Sequence, residues 1–328
     1  MTILVTGGAG YIGSHMVLEL LARGEKIVVL DNLSTGFDWT VPAGVQLFVG
    51  ETGDQALVAS IIREQGVRAI IHFAASIVVP DSISDPLSYY LNNTVNSRAL
   101  IECAVKGGVE NFIFSSTAAV YGTPDKMPIV ETDPMNPQSP YGMSKLMSEI
   151  ILRHASEAHG LKHVILRYFN VAGADPKLRS GQSSAVATHL IKIAAEAVFG
   201  KREGMSVFGT DYPTPDGTCL RDYIHVSDLV RAHSAALDYL KGGGTNRTFN
   251  CGYGRGFSVL EVIAMVKKVS GKDFPVTLAP RRAGDPAGLV ADNTAIQAEL
   301  GWRPELDDLE TIVRHALHWE DKLRTRNR

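Results

Sequence analysis

Tyr141 and Lys145 stand four residues apart in "SPYGMSK", directly after Pro140. That spacing is about one helical turn, so a phenol and an ammonium share one helix face. A free tyrosine titrates near ~10 and is a poor base at neutral pH. A neighbouring cation favours the phenolate and lowers that value. The pair can therefore take a proton from a substrate hydroxyl. In isolation it is equally an ordinary pair on a helix surface. Upstream, "FIFSSTAAVYG" brings Ser115, Ser116 and Thr117 to the end of an apolar run that reads as a strand. Open α/β sheets bind ligands at such strand ends. Capping of the strand end is the structural alternative for each hydroxyl.

A second stretch supplies a reason to prefer chemistry. In "TILVTGGAGYIGSH" an apolar strand runs into Gly7, Gly8, Gly10 and Gly13, and a helix follows. Glycines let the backbone turn tightly and approach a pyrophosphate, and the helix N-terminus offers free N–H groups to it. The next strand ends in "VVLDN", which puts Asp31 where an acid binds the ribose hydroxyls of NAD and repels the extra phosphate of NADP. A buried turn plus a surface aspartate is the competing reading. The strand–turn–helix context and the hydroxyls ahead of Tyr141 favour an NAD site with Tyr141 as proton acceptor. Lys145 and the positive nicotinamide would lower its pKa.

These groups need a frame. Short runs at 2–6, 26–31, 45–49, 69–75, 111–116 and 163–170 are apolar without alternation, as parallel strands buried on both faces are. Helical patterns separate them at 11–23, 54–65, 86–107 and 141–159. The rhythm predicts an α/β fold, a Rossmann-like doubly wound parallel sheet. After about residue 175 it loosens. "GADPKLRSGQSS" reads as a crossing, and "GTDYPTPDGTCLRDY" as a long loop of the kind that often carries function. Helices are expected near 185–199, 227–241, 258–270 and 308–324. The expected division is an NAD-binding domain over 1–175 and a smaller mixed α/β substrate domain over 176–328. Segments near 210–235 and 248–252 return to the first domain.

Composition excludes several classes. A net charge of −3 leaves no basic footprint for nucleic acid or an anionic membrane. Apolar runs fall short of the ~20 residues of a membrane span. Cys103, Cys219 and Cys251 are far apart, which suggests neither a disulfide framework nor zinc. The N-terminus has no basic leader, so a cytoplasmic location is expected. His315 and His318 lie outside any HExxH pattern, and His72 reads as a core residue.

Together "TGGAGYIG", "SSTAAVYG" and "YGMSK" resemble the extended short-chain dehydrogenase/reductase family, over nearly the whole chain. "HFAA", "LRYFNVAGA", "DGTCLRDYIHV" and "PRRAGD" are most similar to the branch that acts at carbon 4 of UDP-sugars. The resemblance implies that Thr117 and Tyr141 flank carbon 4, and that Tyr141 takes the proton of its hydroxyl while hydride passes to NAD. The keto sugar then turns and is reduced on its other face. The resemblance also places Gly7, Gly10, Tyr11, Ile12, Gly13, Asp31, Asn32, Glu51, Phe73, Ala74, Ser115, Tyr141, Lys145 and Tyr168 along the cofactor. Asn170, His189, Leu190, Arg221, Arg282 and Asp285 join Thr117 and Tyr141 along the sugar nucleotide, with the two arginines on its diphosphate. It implies a homodimer paired through the helices near 86–107 and 141–159.

Departures carry information. Dehydratases of the family have an Asp-Glu pair after the Ser/Thr; Ala118 and Ala119 stand here and cannot move a proton. Ile77 stands where many members have a lysine that reaches the cofactor. Gly50-Glu51 replaces a Gly-Asp pair at the adenine. Leu289 aligns with the residue that limits room for an N-acetyl group. A 4-epimerase for a UDP-pentose, a UDP-uronate or an N-acetylated UDP-hexose is a competing reading, as is a non-catalytic NAD-binding sensor. Tyr141, Lys145 and Thr117 together argue against the sensor.

Overall fold

Runs that are apolar on both faces can only be buried on both faces, and the sheet meets that demand. A computed structural model describes residues 1–184, 188–282 and 284–326. In chain order the strands are β1 (Thr2–Thr6), β2 (Lys26–Asp31), β3 (Gln46–Val49), β4 (Val67–His72), β5 (Asn111–Thr117), β6 (Lys162–Tyr168), β7 (Asn170–Ala172), β8 (Met205–Phe208), β9 (Leu220–Arg221), β10 (Tyr223–His225), β11 (Arg247–Cys251), β12 (Phe257–Ser258), β13 (Val276–Ala279) and β14 (Gly288–Leu289). The helices are α1 (Tyr11–Ala22), α2 (Gln55–Gln65), α3 (Val79–Ser84), α4 (Pro86–Tyr89), α5 (Asn96–Lys106), α6 (Pro140–His159), α7 (Leu190–Val198), α8 (Val226–Lys241), α9 (Val259–Ser270), α10 (Thr294–Leu300) and α11 (Leu309–Arg326).

Seven strands form one parallel sheet in the order β11-β6-β5-β4-β1-β2-β3. Successive side chains of β1 point to opposite faces. Ile3 and Val5 pack with Met16 of α1 and Leu229 and Leu237 of α8. Leu4 packs on the other face with Val58 and Ile61 of α2, Leu100 of α5 and Leu152 of α6. The chain runs from β1 outward to β3, then resumes at β4 on the other side of β1. The order therefore reverses between β1 and β4, and ligands bind beyond the strand ends at such a crevice. A second core, with Ile191 and Ala194 of α7, Val262 and Val266 of α9, and Ile312 and Val313 of α11, lies outside this sheet.

Several expectations are corrected. The strand expected at 69–75 starts and ends earlier, at Val67–His72, and the run at 163–170 breaks into β6 and β7. β3 is an edge strand whose outer residue Val49 is exposed, so it is not apolar on two buried faces. The helix expected over 86–107 is three pieces: α4, a π-helical stretch Tyr90–Val95, and α5. The helix expected from 185 begins at Leu190; residues 185–187 lie outside the described ones. Helices α3 and α10 and most short strands after β7 carried no clear pattern. Helix α6 starts where "SPYG" says it should: the Ser139 hydroxyl accepts from Gly142 N and Pro140 opens the first turn.

Candidate active site

The turn after β1 depends on missing side chains. Gly7 has φ +70°, and a Cβ there would lie 2.7 Å from Ala74 N. A Cβ on Gly13 would lie 2.0 Å from the Gly7 carbonyl oxygen. Those gaps let α1 close on the end of β1 and expose its first turn, whose N-cap residue Gly10 has no side chain to satisfy the N–H groups. Asp31 is buried at the end of β2. Its Oδ2 accepts from Ala9 N at 2.9 Å and its Oδ1 from Leu33 N at 2.8 Å. The carboxylate thus braces the glycine loop and keeps lone pairs for a ligand.

A cavity of about 510 Å³ opens at the crevice between β1 and β4. Gly7, Gly10, Tyr11, Ile12, Gly13, Asp31, Asn32, Glu51, Phe73, Ala74 and Tyr168 all line it. Asn32 Nδ2 donates to Glu51 Oε1 at 3.0 Å, which joins the ends of β2 and β3. Ile77 sits on the rim, half exposed. The volume, the bare glycine cradle and the acid at the end of β2 fit a dinucleotide. Among the described residues no group of three His, Cys, Asp or Glu side chains is placed to hold a metal ion, and no helix is long and apolar enough to cross a membrane.

Thr117, Tyr141 and Lys145 are all buried and none of them lines this cavity. The Thr117 hydroxyl accepts from Ala119 N at 3.1 Å and lies near enough to the Tyr141 phenol to act on its pKa, downward. Tyr89 and Tyr168, both in the cavity wall, are electrostatic neighbours of that phenol. Lys145 Nζ donates to the Ser115 carbonyl at 2.9 Å and lies 5.0 Å from the centre of the Phe114 ring. Burial pushes the Lys145 ammonium down to about 8. Burial also pushes the Tyr141 phenol up to about 12, against the lowering by Thr117. Without the nicotinamide charge that the expected lowering also relied on, burial dominates and the protein alone holds Tyr141 as a neutral phenol.

The hydroxyl cluster divides its work. Only Thr117 meets Tyr141. Ser116 donates to Glu149 at 2.5 Å. Ser115 is fully buried and outside the cavity wall; its hydroxyl pairs with His233 at 2.9 Å and acts on the nearby Tyr168 phenol, lowering its pKa against burial. It reaches the site through Lys145 and Tyr168. Helix α6 is clamped from both ends. Glu149 takes two bonds from Arg167, at 3.0 and 2.7 Å. Asn93, in the π-helical stretch, donates to Ser144 Oγ at 3.0 Å and to the Ser76 carbonyl at 2.9 Å.

The other expected contacts come from scattered segments. Asn170, His189 and Leu190 line a small neighbouring cavity with Gln182 and Trp319. His189 Nδ1 is 3.1 Å from Gln182 Nε2, and burial lowers its pKa. Arg221 Nη1 donates to the Leu220 and Pro286 carbonyls, and its Nη2 lies 3.9 Å from Asp285. The Arg282 guanidinium lies 3.7 Å above the Phe208 ring. None of Arg221, Arg282 and Asp285 borders the large cavity. Sequence reasoning missed Tyr89, Asn93, Gln182 and Phe208. The doubled Asn92-Asn93 in an otherwise apolar helical pattern was a usable signal; Phe208 gave none.

The match to an NAD dependent epimerase/dehydratase family model spans residues 3–252. A UDP-glucose 4-epimerase of Azospirillum brasilense is 54% identical over 98% of this chain and 92% of its own length. The crystal structure of a Brucella ovis UDP-glucose 4-epimerase in complex with NAD superposes with a TM-score of 0.94 at 42% identity, covering 97% of this chain and 98% of that one. The UDP-Glc/GlcNAc 4-epimerase of Campylobacter jejuni superposes with a TM-score of 0.86 at 51% identity, covering 98% and 99%. With this match, full-length relatives and a strand–glycine–helix cradle beside a dinucleotide-sized cavity, the chain belongs to the NAD dependent epimerase/dehydratase family.

Proposed function

We propose that the chain inverts carbon 4 of a UDP-hexose, interconverting UDP-galactose and UDP-glucose, with NAD as its resident cofactor. The observation that carries this is the buried Thr117–Tyr141 pair behind Tyr89 and Tyr168 of the dinucleotide-sized cavity, with Lys145 one helical turn on and fixed to the Ser115 carbonyl. Full-length similarity to UDP-glucose 4-epimerases supports it.

NAD, when bound, supplies a hydride acceptor for carbon 4 and a positive ring. With NAD bound, its positive ring and Lys145 would favour the phenolate of Tyr141, whose Oη would then take the proton of the 4-hydroxyl. Thr117 holds the phenol and orients that hydroxyl. Lys145, fixed on the Ser115 carbonyl, supplies a positive charge where the phenolate forms. Ala118 and Ala119 offer no acid or base beside them, so the 4-keto sugar keeps its other hydroxyls and is reduced on its opposite face. Gly7 to Gly13, Asp31, Asn32 and Glu51 hold the cofactor. Asn170, His189, Leu190, Arg221, Arg282 and Asp285 hold the sugar nucleotide, the arginines by charge-assisted bonds to the diphosphate. The proposed division of labour is 1–175 mainly for NAD and 176–328 mainly for the UDP-sugar, with Thr117, Tyr141 and Asn170 of the first part reaching the sugar nucleotide.

The working form is a homodimer in the cytoplasm. Leu87, Leu91 and Val95 are 78%, 58% and 52% exposed, and Met147 and Ile150 on α6 extend the same kind of apolar surface. Three free buried cysteines suit a reducing compartment. The experiment is a panel of UDP-sugars, UDP-N-acetylgalactosamine included, read by the NMR signals of their anomeric protons. Interconversion of UDP-galactose and UDP-glucose is expected; its absence sinks the proposal. Light scattering at twice the mass of one chain is expected for the dimer, and Leu91→Glu is expected to halve it.

A further inference from the structure

Asp222 lies between β9 and β10 and is fully buried. Its Oδ1 accepts from Tyr253 N at 2.8 Å. Its Oδ2 accepts from Gly254 N at 2.9 Å and from Ala291 N at 3.2 Å. The main chain of the same residue is as heavily used: its N–H donates to the Leu289 carbonyl at 3.1 Å and its carbonyl accepts from Asn170 N at 2.9 Å. One residue therefore ties together three stretches that are distant in sequence: β7 with Asn170, the turn 252–254, and the segment 288–291 with Leu289. Arg221 is its immediate neighbour. The packing is tight enough to dictate Gly252, where a Cβ would lie 2.6 Å from Asp222 Oδ2.

Nothing in the proton chemistry uses this carboxylate. It touches no residue of the glycine cradle and does not border the large cavity. We propose that Asp222 is a positioning residue for the sugar-nucleotide side: it holds Asn170, Arg221 and Leu289 in register with one another and leaves cofactor binding alone. The inference rests on the reading of a UDP-sugar site given above. Three converging N–H groups favour the ionised carboxylate, but burial prevails and lifts Asp222 to about 6. The charged group that faces it is Arg255, which acts downward, and the buried Cys251 thiol is the other titratable neighbour. Protonation removes acceptor strength from a site that needs three bonds, so register loosens as pH falls through about 6.

The test is Asp222→Asn in the full chain loaded with NAD. Asparagine keeps the shape but has one oxygen, and its NH₂ confronts an N–H donor. UDP affinity and NAD affinity are measured separately by calorimetry, with KM and kcat for UDP-galactose alongside. The expected result is a UDP dissociation constant and a KM raised at least about tenfold, with NAD affinity within about twofold of wild type. The wild-type KM is expected to rise below about pH 6 while that of Asp222→Asn stays flat. Should Asp222→Asn not fold, Gly252→Ala presses on the same carboxylate and is expected to give the same selective loss. Unchanged UDP affinity, or UDP and NAD affinities falling together, overturns the assignment. If the wild-type chain binds NAD but no UDP, the sugar-nucleotide reading itself fails and takes this inference with it.

Discussion

The cofactor wall takes Gly7 to Gly13, Asp31, Glu51 and Phe73 from the ends of four adjacent strands of one sheet. The residues proposed for a sugar-nucleotide wall, among them Asn170, His189, Arg221 and Arg282, come from separate segments, two of which are tied by the cross-links of Asp222 and its main chain. The first wall is fixed by backbone shape: glycines where a Cβ would strike a carbonyl, and a helix N-terminus aimed at the ligand. The second is fixed by side-chain and main-chain hydrogen bonds between distant parts of the chain. Damage to the first should act through sterics and affect NAD. Damage to the second should act through register and affect UDP. Tyr141 serves the proton chemistry, and a change that keeps its ring should leave both affinities largely intact.

The largest effect expected is at Tyr141. Tyr141→Phe removes the proton acceptor and should lower kcat by about 10²–10⁴ while NAD stays bound, read by turnover and by calorimetry. Retention of wild-type turnover would contradict the assignment. Next is Lys145→Met. Burial has depressed this lysine from 10.5 to about 8, so the unfolded chain binds more protons between those values. By linkage the folded state gains stability as pH rises through that window, and at pH 7 the buried charge costs about 3 kcal/mol. Lys145→Met should therefore melt higher at pH 7, lose the rise in stability between pH 8 and 10.5, and lose activity. Thermal unfolding across pH checks all three.

Gly13→Ala comes third. Its Cβ would meet the Gly7 carbonyl oxygen at 2.0 Å. Overpacking of this kind costs about 1–3 kcal/mol, which should appear as weakened NAD binding with UDP affinity preserved. The smallest expected change is Arg282→Ala, which loses a charge-assisted contact of about 1.5–3 kcal/mol at most. Because Arg282 is already held on the Phe208 face, a rise in KM for UDP-galactose of about tenfold is expected. If Gly13→Ala weakened UDP or Arg282→Ala weakened NAD, the contrast between the walls would be lost.

The same contrast explains what was legible in the sequence. Elements defined by contiguous patterns were readable: the β1–glycine–α1 unit, the strands apolar on both faces, and the start of α6 at "SPYG". Elements defined by contacts between distant segments were not. The segment near 248–252 is expected to return to the first domain, but that it does so as strand β11 beside β6 was not legible, because "RTFNC" has no strong apolar pattern. The π-helical turn at Tyr90–Val95 places Asn93 between Ser76 and Ser144, and helical periodicity alone cannot show it. The burial of the Tyr141 phenol, which raises its pKa in the protein alone, was not legible, because spacing to Lys145 is visible in a sequence and desolvation is not.

The division of labour at Tyr141 has one direct test. UDP-galactose carrying deuterium at carbon 4 is incubated with the NAD-loaded protein in ordinary water, and the UDP-glucose formed is examined by NMR. Tyr141 handles only the hydrogen on oxygen, so the account predicts that deuterium is still on carbon 4 of the product. Protium at carbon 4 would mean that the hydrogen on carbon exchanges with solvent, and the account would be wrong.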